Sequence, residues 1–469
     1  LNRLSHTAID SKTVFLLLAV AAITLAGGLF IVKASTSFAF VMIAAVVIGI
    51  VSFLSMEIAL YLLIISMLLG PQFIVGDATV AAARGRAGIT LRADDFLLLI
   101  IGFSWFLKTA VRKELGLFLT TPLNRPIAYY FVVCLISTLF GYMMDRVKGA
   151  SGFFFVLKYF EFFIVYFMAV NHLKEKKQIE RFLFTMLAVC FIVCLIAVYQ
   201  IPAGGRVSAP FEGPEGEPNT LGGYLVLMLS IVLGLMLRYG TTKQKAMLGL
   251  LTFFILLSLA ATLSRSSWLA LVPMVIALFY FSGKKMSIIL TALIVLLISP
   301  LILPKSVTDR VLFTFTQPTE AGQVLVGNVR LDTSTSARFL SWKNVLERDF
   351  IKQPFFGYGI TGYRLVDAQY ARVLAETGLA GMVTFFILIY SVYMNALQIY
   401  RTTQADPFFN GLSLGYLAGF IAMLTQAIGT NTFIIVRIME PFWFLTAMII
   451  MIPEIEKASS RESLKLARS

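Results

Sequence analysis

The sequence predicts an all-α integral membrane protein with about 12–14 transmembrane helices and one large extracytoplasmic loop that carries amphipathic helices. Three observations carry this. Hydrophobic residues fill 58% of 469 positions and charged residues only 14%, so lipid is the solvent for most of the chain. The apolar residues gather into runs of roughly 15–21 residues, the length a helix rather than a strand needs to cross a bilayer. Lysine and arginine gather in alternate short loops, as retention of positive charge on one face requires.

In chain order the runs fall at 14–32, 36–54, 57–70, 94–109, 126–143, 153–170, 181–200, 219–238, 246–263, 267–282, 286–303, 379–399, 409–428 and 433–452. The first is followed directly by the second, which predicts a retained helix rather than a signal peptide. Two longer stretches must be divided, one at Ser55-Met56-Glu57 and one at Ser264-Arg265-Ser266. Pro218-Asn219 is a good helix start, because a proline in the first turn forfeits no hydrogen bond.

The expected organisation is an N-terminal bundle over 1–303, a loop over 304–378, C-terminal helices over 379–452 and a basic tail over 453–469. The basic short segments are 108–125, 174–181, 238–245, Lys284-Lys285, Arg401 and the tail. Alternation puts them all on one face, which predicts cytoplasmic termini and a periplasmic loop in a multi-pass protein of the cell inner membrane. The opposite face keeps its own cations: Arg84, Arg86, Arg92, Arg146, Lys148, Arg206, Arg310, Arg330, Arg338, Lys343, Arg364 and Arg372. With a net charge of +14, anionic headgroups and a polyanionic substrate explain them equally well.

Cys134, Cys190 and Cys194 all lie in apolar runs, and no cluster has metal-ligand spacing, so neither a disulfide, a metal nor a cofactor is expected. His6 and His172 fall on the cytoplasmic face, which leaves carboxylates and arginines for chemistry on the other. Arg265 stands between two apolar runs in Thr262-Leu263-Ser264-Arg265-Ser266-Ser267-Trp268. A charge there costs about 2.5–3.5 kcal/mol, so it faces a polar cavity as a functional group or snorkels to the interface.

Within the loop, Thr333-Ser334-Thr335-Ser336 offers cap oxygens to a helix over 337–350. Phe339, Trp342, Val345 and Leu346 form its apolar stripe, and Arg338 and Trp342 are spaced for a cation–π contact. The turn Gln353–Gly359 contains glycines suited to positive φ or close backbone approach. Glu212, Glu215 and Glu217, before Pro218, are either ligands for a divalent ion or a solvated acidic loop.

Four segments in order, PNTLGGY (218–224), SRSSWLAL (264–271), ARFLSWKNVLERDFIKQPFFGYG (337–359) and DAQYARVLAETGLAG (367–381), resemble the O-antigen ligase and polysaccharide polymerase family. LRADDFLLL (91–99) and LKYFEFFIVYF (157–167) look like that family's earlier helix starts, so the resemblance covers roughly 90–450. It implies a membrane glycosyltransferase whose donor is a polyprenyl-diphosphate-linked glycan and whose acceptor is a sugar hydroxyl, in lipopolysaccharide or exopolysaccharide assembly. It assigns the donor diphosphate to Arg265 and Arg338, a role suited to permanently charged guanidinium forks.

At the position of Asp367 many of these ligases carry a histidine; an aspartate still accepts a proton when ionised and within reach. The remaining expectations are Arg206 and Arg372 as auxiliary phosphate or sugar contacts, Tyr363 and Tyr370 as glycan contacts, and Glu376 as a second candidate base. Two rivals stand beside this reading: a small-anion transporter with Arg265 as counter-charge, and a non-catalytic subunit of a polysaccharide assembly. The absence of matching broken helices in two halves counts against the transporter.

Overall fold

The computed structural model describes residues 46–75, 89–112, 119–149, 151–210, 216–286, 288–290, 293, 305–320, 322–326 and 329–466. The run at 14–32, and most of those at 36–54 and 286–303, lie outside them.

Among the described residues nine helices are long and apolar enough to cross a membrane. They are α3 (Asn124–Met143), α4 (Ser151–His172), α5 (Lys176–Gln200), α6 (Pro218–Arg238), α7 (Thr242–Ala261), α8 (Arg265–Ser282), α11 (Gln369–Thr402), α12 (Pro407–Gln426) and α13 (Val436–Leu466). Shorter apolar helices are α1 (Met56–Leu69) and the stretch Asp95–Leu107 within α2 (Ala93–Arg112). Each coincides with one of the runs predicted above. The fold is an all-α membrane bundle.

The divisions follow capping chemistry. Ser55 caps α1 by accepting from the Ile58 amide, and Ser264 stands in extended backbone as the cap of α8. Pro218 opens α6, as its position predicts. Two short antiparallel ladders, which hydropathy does not signal, pair Gln72–Val75 with Ile89–Arg92 and Leu325–Val326 with Val329–Arg330.

At the centre, α6 and α12 cross at backbone distance. A Cβ on Gly234 would meet Gly411 O at 2.4 Å and the Gly415 backbone at 2.4 Å, and one on Gly415 would meet Ser230 O at 2.6 Å. Gly411, Gly415 and Gly419 recur every fourth residue of α12 and make a flat stripe, the device that lets helices touch in lipid, where hydrophobic driving force between them is lost. Around this pair, α7 and α8 pack on one side, α11 on α3, and α13 on α4.

The loop between α8 and α11 carries α9 (Lys305–Thr316) and α10 (Thr333–Asn344); α10 continues through one π-helical turn, Val345–Asp349. The helix starts at Thr333 rather than 337, because Asp332 is its cap and accepts from the Ser334 and Thr335 amides. Ser334 and Thr335 turn their hydroxyls to Asp332 instead of capping. Val345 of the expected stripe is buried and Trp342 packs beside it, whereas Phe339 and Leu346 are exposed.

The turn after it docks on α11. Gly357 and Gly359 have φ of +65° and +85°, and a Cβ on Gly357 would meet Ala375 O at 2.5 Å. Gly378, at φ +63°, breaks α11 there, and the turn supplies its missing partners: Leu379 N donates to Pro354 O at 2.8 Å, Tyr358 N to Ala375 O at 3.0 Å and Gly359 N to Glu376 O at 2.8 Å.

The crossing gives a test of the bundle. Gly415→Leu should cost about 1–3 kcal/mol by overpacking and lower the melting temperature in detergent by several degrees. Gly249→Leu, where a Cβ would meet only Met236 Cε at 3.9 Å, should leave it unchanged.

Candidate functional site at the loop end of the bundle

Two helix starts, one helix end and the loop meet at one end of the bundle. Asn219, in the first turn of α6, accepts from Ser264 Oγ at 2.8 Å, and Ser264 is 2.9 Å from Ser267 Oγ on α8. Gln426, at the end of α12, donates to Ser267 Oγ at 2.9 Å and to Asn219 O at 3.3 Å. A Cβ on Gly222 would sit 2.3 Å from Ser267 Oγ, so glycine lets α6 approach this network. Leu263 is forced to φ +51°, a strained conformation for a side chain of its size, to bring the chain from α7 into α8. The network fixes the base from which Arg265 projects.

Arg265 reaches the loop. Its two terminal nitrogens donate to the two oxygens of Asp332, each at 2.7 Å, and it also bonds Ser334 Oγ. Asp332 is buried, 3% exposed, and takes further hydrogen bonds from the Ser334 and Thr335 amides and hydroxyls. Those donors overcome the desolvation of burial and hold the carboxyl well below the usual carboxylate range. The same contact therefore caps α10 and ties it to the bundle.

One turn further along α10, Arg338 Nη2 donates to Asp367 at 3.1 Å. This replaces the expected contact with Trp342. Arg206, in the loop before α6, donates to Thr262 O at 3.1 Å and to Asn219 Oδ1 at 3.5 Å. Burial, and then the charges of Arg310 on α9, Arg338 and Arg265, depress its proton affinity, against the opposing pull of Glu217. Arg310 is lowered by burial and by Arg265 and Arg338, against Asp332. Glu217 is raised, by burial first and then by Asp367, against Arg206 and Arg338. Four guanidinium groups and three carboxylates thus share one polar mouth.

Of the residues predicted from sequence, Arg265, Arg338, Asp367 and Arg206 come together here. Arg372, Glu376, Tyr363 and Tyr370 have other partners. Arg372 and Glu376 pair with each other at 3.2 Å inside the bundle, and Glu376 also receives the amide of Thr361, itself at φ +64°. Glu376 thereby holds the loop turn on α11, with Arg372 as its counter-ion. Tyr370 donates to Leu424 O at 2.7 Å and stacks on Phe386, and Tyr363 donates to Asp349 with Tyr358 at its ring. Of the acidic loop, Glu212 and Glu215 lie outside the described residues.

The structure adds residues that sequence reasoning passed over. Asp332 and Arg310 belong to the mouth itself. Deeper in the bundle, Arg437 donates to Leu68 O, Gly70 O and Pro210 O at 2.9, 3.1 and 2.8 Å, and so ties the end of α1 and the segment after Arg206 to α13. Arg92 lies 4.0 Å from Glu440, and Lys158 pairs with Asp95 and, at 3.2 Å, with Glu161. Lys158 and Glu161, and Arg437 and Glu440, stand three residues apart in apolar runs, a visible signal for charges held within a bundle.

Residues 250–386 match the family model described as O-Antigen ligase. Over this segment the chain is similar to the O-antigen ligases. The segment holds Arg265, Arg310, Asp332, Arg338 and Asp367, while Arg206 and Glu217 come from before it. No curated protein matches the chain. The match and the bundle together support a multi-pass membrane protein of glycan assembly.

The tether predicts a coupled loss. Arg265→Ala and Asp332→Asn should each cost about 1.5–3 kcal/mol of loop docking, the range for hydrogen bonds to charged groups, and the double variant little more than either. Amide hydrogen exchange over 333–344 reads this directly. Because Asp332 is depressed in the folded state, its contribution is complete above the ordinary carboxylate range near pH 4, and protection of α10 should fall only as the pH drops below it.

Proposed function

We propose that the protein transfers a glycan from a polyprenyl-diphosphate-linked donor to a sugar hydroxyl, at the outer face of the inner membrane. The observation that carries this is the convergence of Arg206, Arg265, Arg310 and Arg338 beside a half-exposed carboxylate, Asp367. Arginine forks suit a diphosphate that stays fully charged, and a carboxylate next to them suits the single proton the reaction releases.

In the proposed step the acceptor oxygen bonds to the anomeric carbon as the bond from that carbon to the diphosphate oxygen breaks. The electron pair stays on the departing polyprenyl diphosphate, and the acceptor proton passes to Asp367. Arg338 and Arg206 face the charge that grows on the leaving group, Arg310 adds to the same field, and Arg265 contacts the diphosphate from the base of α8 while holding α10 over it.

The basic short segments Lys174–Arg181, Arg238–Lys245 and Lys284-Lys285 lie at the opposite end of the helices from this mouth, which supports cytoplasmic placement for them and periplasmic placement for the loop. On that orientation the division into bundle, loop, C-terminal helices and basic tail is retained.

Transfer in proteoliposomes, with purified protein and polyprenyl-diphosphate oligosaccharide, tests the reading. Longer lipid-linked products identify a polymerase, and product only on an added acceptor identifies a ligase. Arg338→Ala is expected to lower turnover about 10²–10³-fold, as loss of a group that stabilises developing charge does. Turnover within twofold of wild type would remove Arg338 from the donor site.

A further inference from the structure

We propose that Asp367 occupies in the resting protein the place on Arg338 that the donor's diphosphate takes, so that donor binding is what releases the carboxylate to act as base. The inference rests on the functional reading above and adds an order of events to it.

Two arginine–carboxylate pairs stand a few residues apart on the loop helix and differ in kind. Asp332 takes both prongs of Arg265 at 2.7 Å and four further bonds from Ser334 and Thr335. A carboxylate so saturated and buried is a fixed counter-ion. Asp367 is 51% exposed and meets Arg338 through one nitrogen at 3.1 Å. Arg338 Nε is buried without a hydrogen-bond partner. Its fork is therefore half used, and an exposed pair of this kind contributes little.

A phosphate oxygen pair fits the guanidinium edge bidentately and carries more charge than one carboxylate. The exchange replaces a single contact by a two-pronged one and satisfies Nε. Arg206, Arg265 and Arg310, all within electrostatic reach, favour the arriving anion, and Glu217 on the facing helix start repels Asp367. Asp367 is then released from its single contact and is open to the acceptor hydroxyl when that group has a proton to give. The pair keeps the base idle until a donor is seated.

The experiment is binding of farnesyl diphosphate to the purified full chain in detergent, for wild type, Asp367→Asn, Asp367→Ala, Arg338→Ala and the Asp367→Asn/Arg338→Ala double variant. Both Asp367 variants should bind about three- to fivefold more tightly than wild type, the scale that an exposed ion pair sets, and the double variant should lose that gain. A misfolded variant cannot mimic tighter binding. If the Asp367 variants bind no more tightly than wild type while Arg338→Ala binds more weakly, the exchange is overturned and the diphosphate site stands. If wild type prefers farnesyl diphosphate no more than farnesol, and Arg338→Ala changes nothing, the functional reading falls and the exchange with it.

Discussion

The fork between Arg265 and Asp332 is the contact on which the rest of the site depends. It joins a transmembrane helix to the loop helix, and it does so at the cap of that helix, where Asp332 also satisfies two free amides. Remove it and α10 loses its start and its anchor together. Arg338 lies six residues past the cap, so the same bond sets where the second arginine points. The hydroxyl and amide network of Asn219, Ser264, Ser267 and Gln426 beneath it plays the corresponding part on the membrane side, holding the helix starts in register.

Much of the fold could be read from local sequence because its determinants are local. A run of apolar residues bounded by Ser55, Pro218 or Ser264 has few other structures open to it in lipid, and the described helices begin where those residues stand. The loop helix shows the limit of that reasoning. Four consecutive Thr and Ser residues all qualify as caps, and Asp332 just before them prevails because it can pair with Arg265 as well.

The site divides the same way. Arg265, Arg338 and Asp367 were legible through motif resemblance and through the cost of charge near lipid. That Arg265 pairs with a residue 67 positions away, and that Arg372 turns inward to Glu376, was not, since neither helical spacing nor composition specifies long-range partners. The inward-facing ions Lys158, Glu161, Arg437 and Glu440 carried a signal in their spacing that only the packed bundle made interpretable.

The glycine stripe between α6 and α12 bears on how the prenyl chain of the proposed donor would gain entry. Where two backbones touch, no side chain can rotate aside, so that seam is the stiffest wall of the bundle. α6 begins at the polar mouth with Pro218-Asn219, and α12 ends there with Gln426. Both ends are thus clamped by the same crossing, which makes them a fixed jaw. For the donor proposed above, this closes the seam to the lipid tail and directs its approach to another side of the bundle.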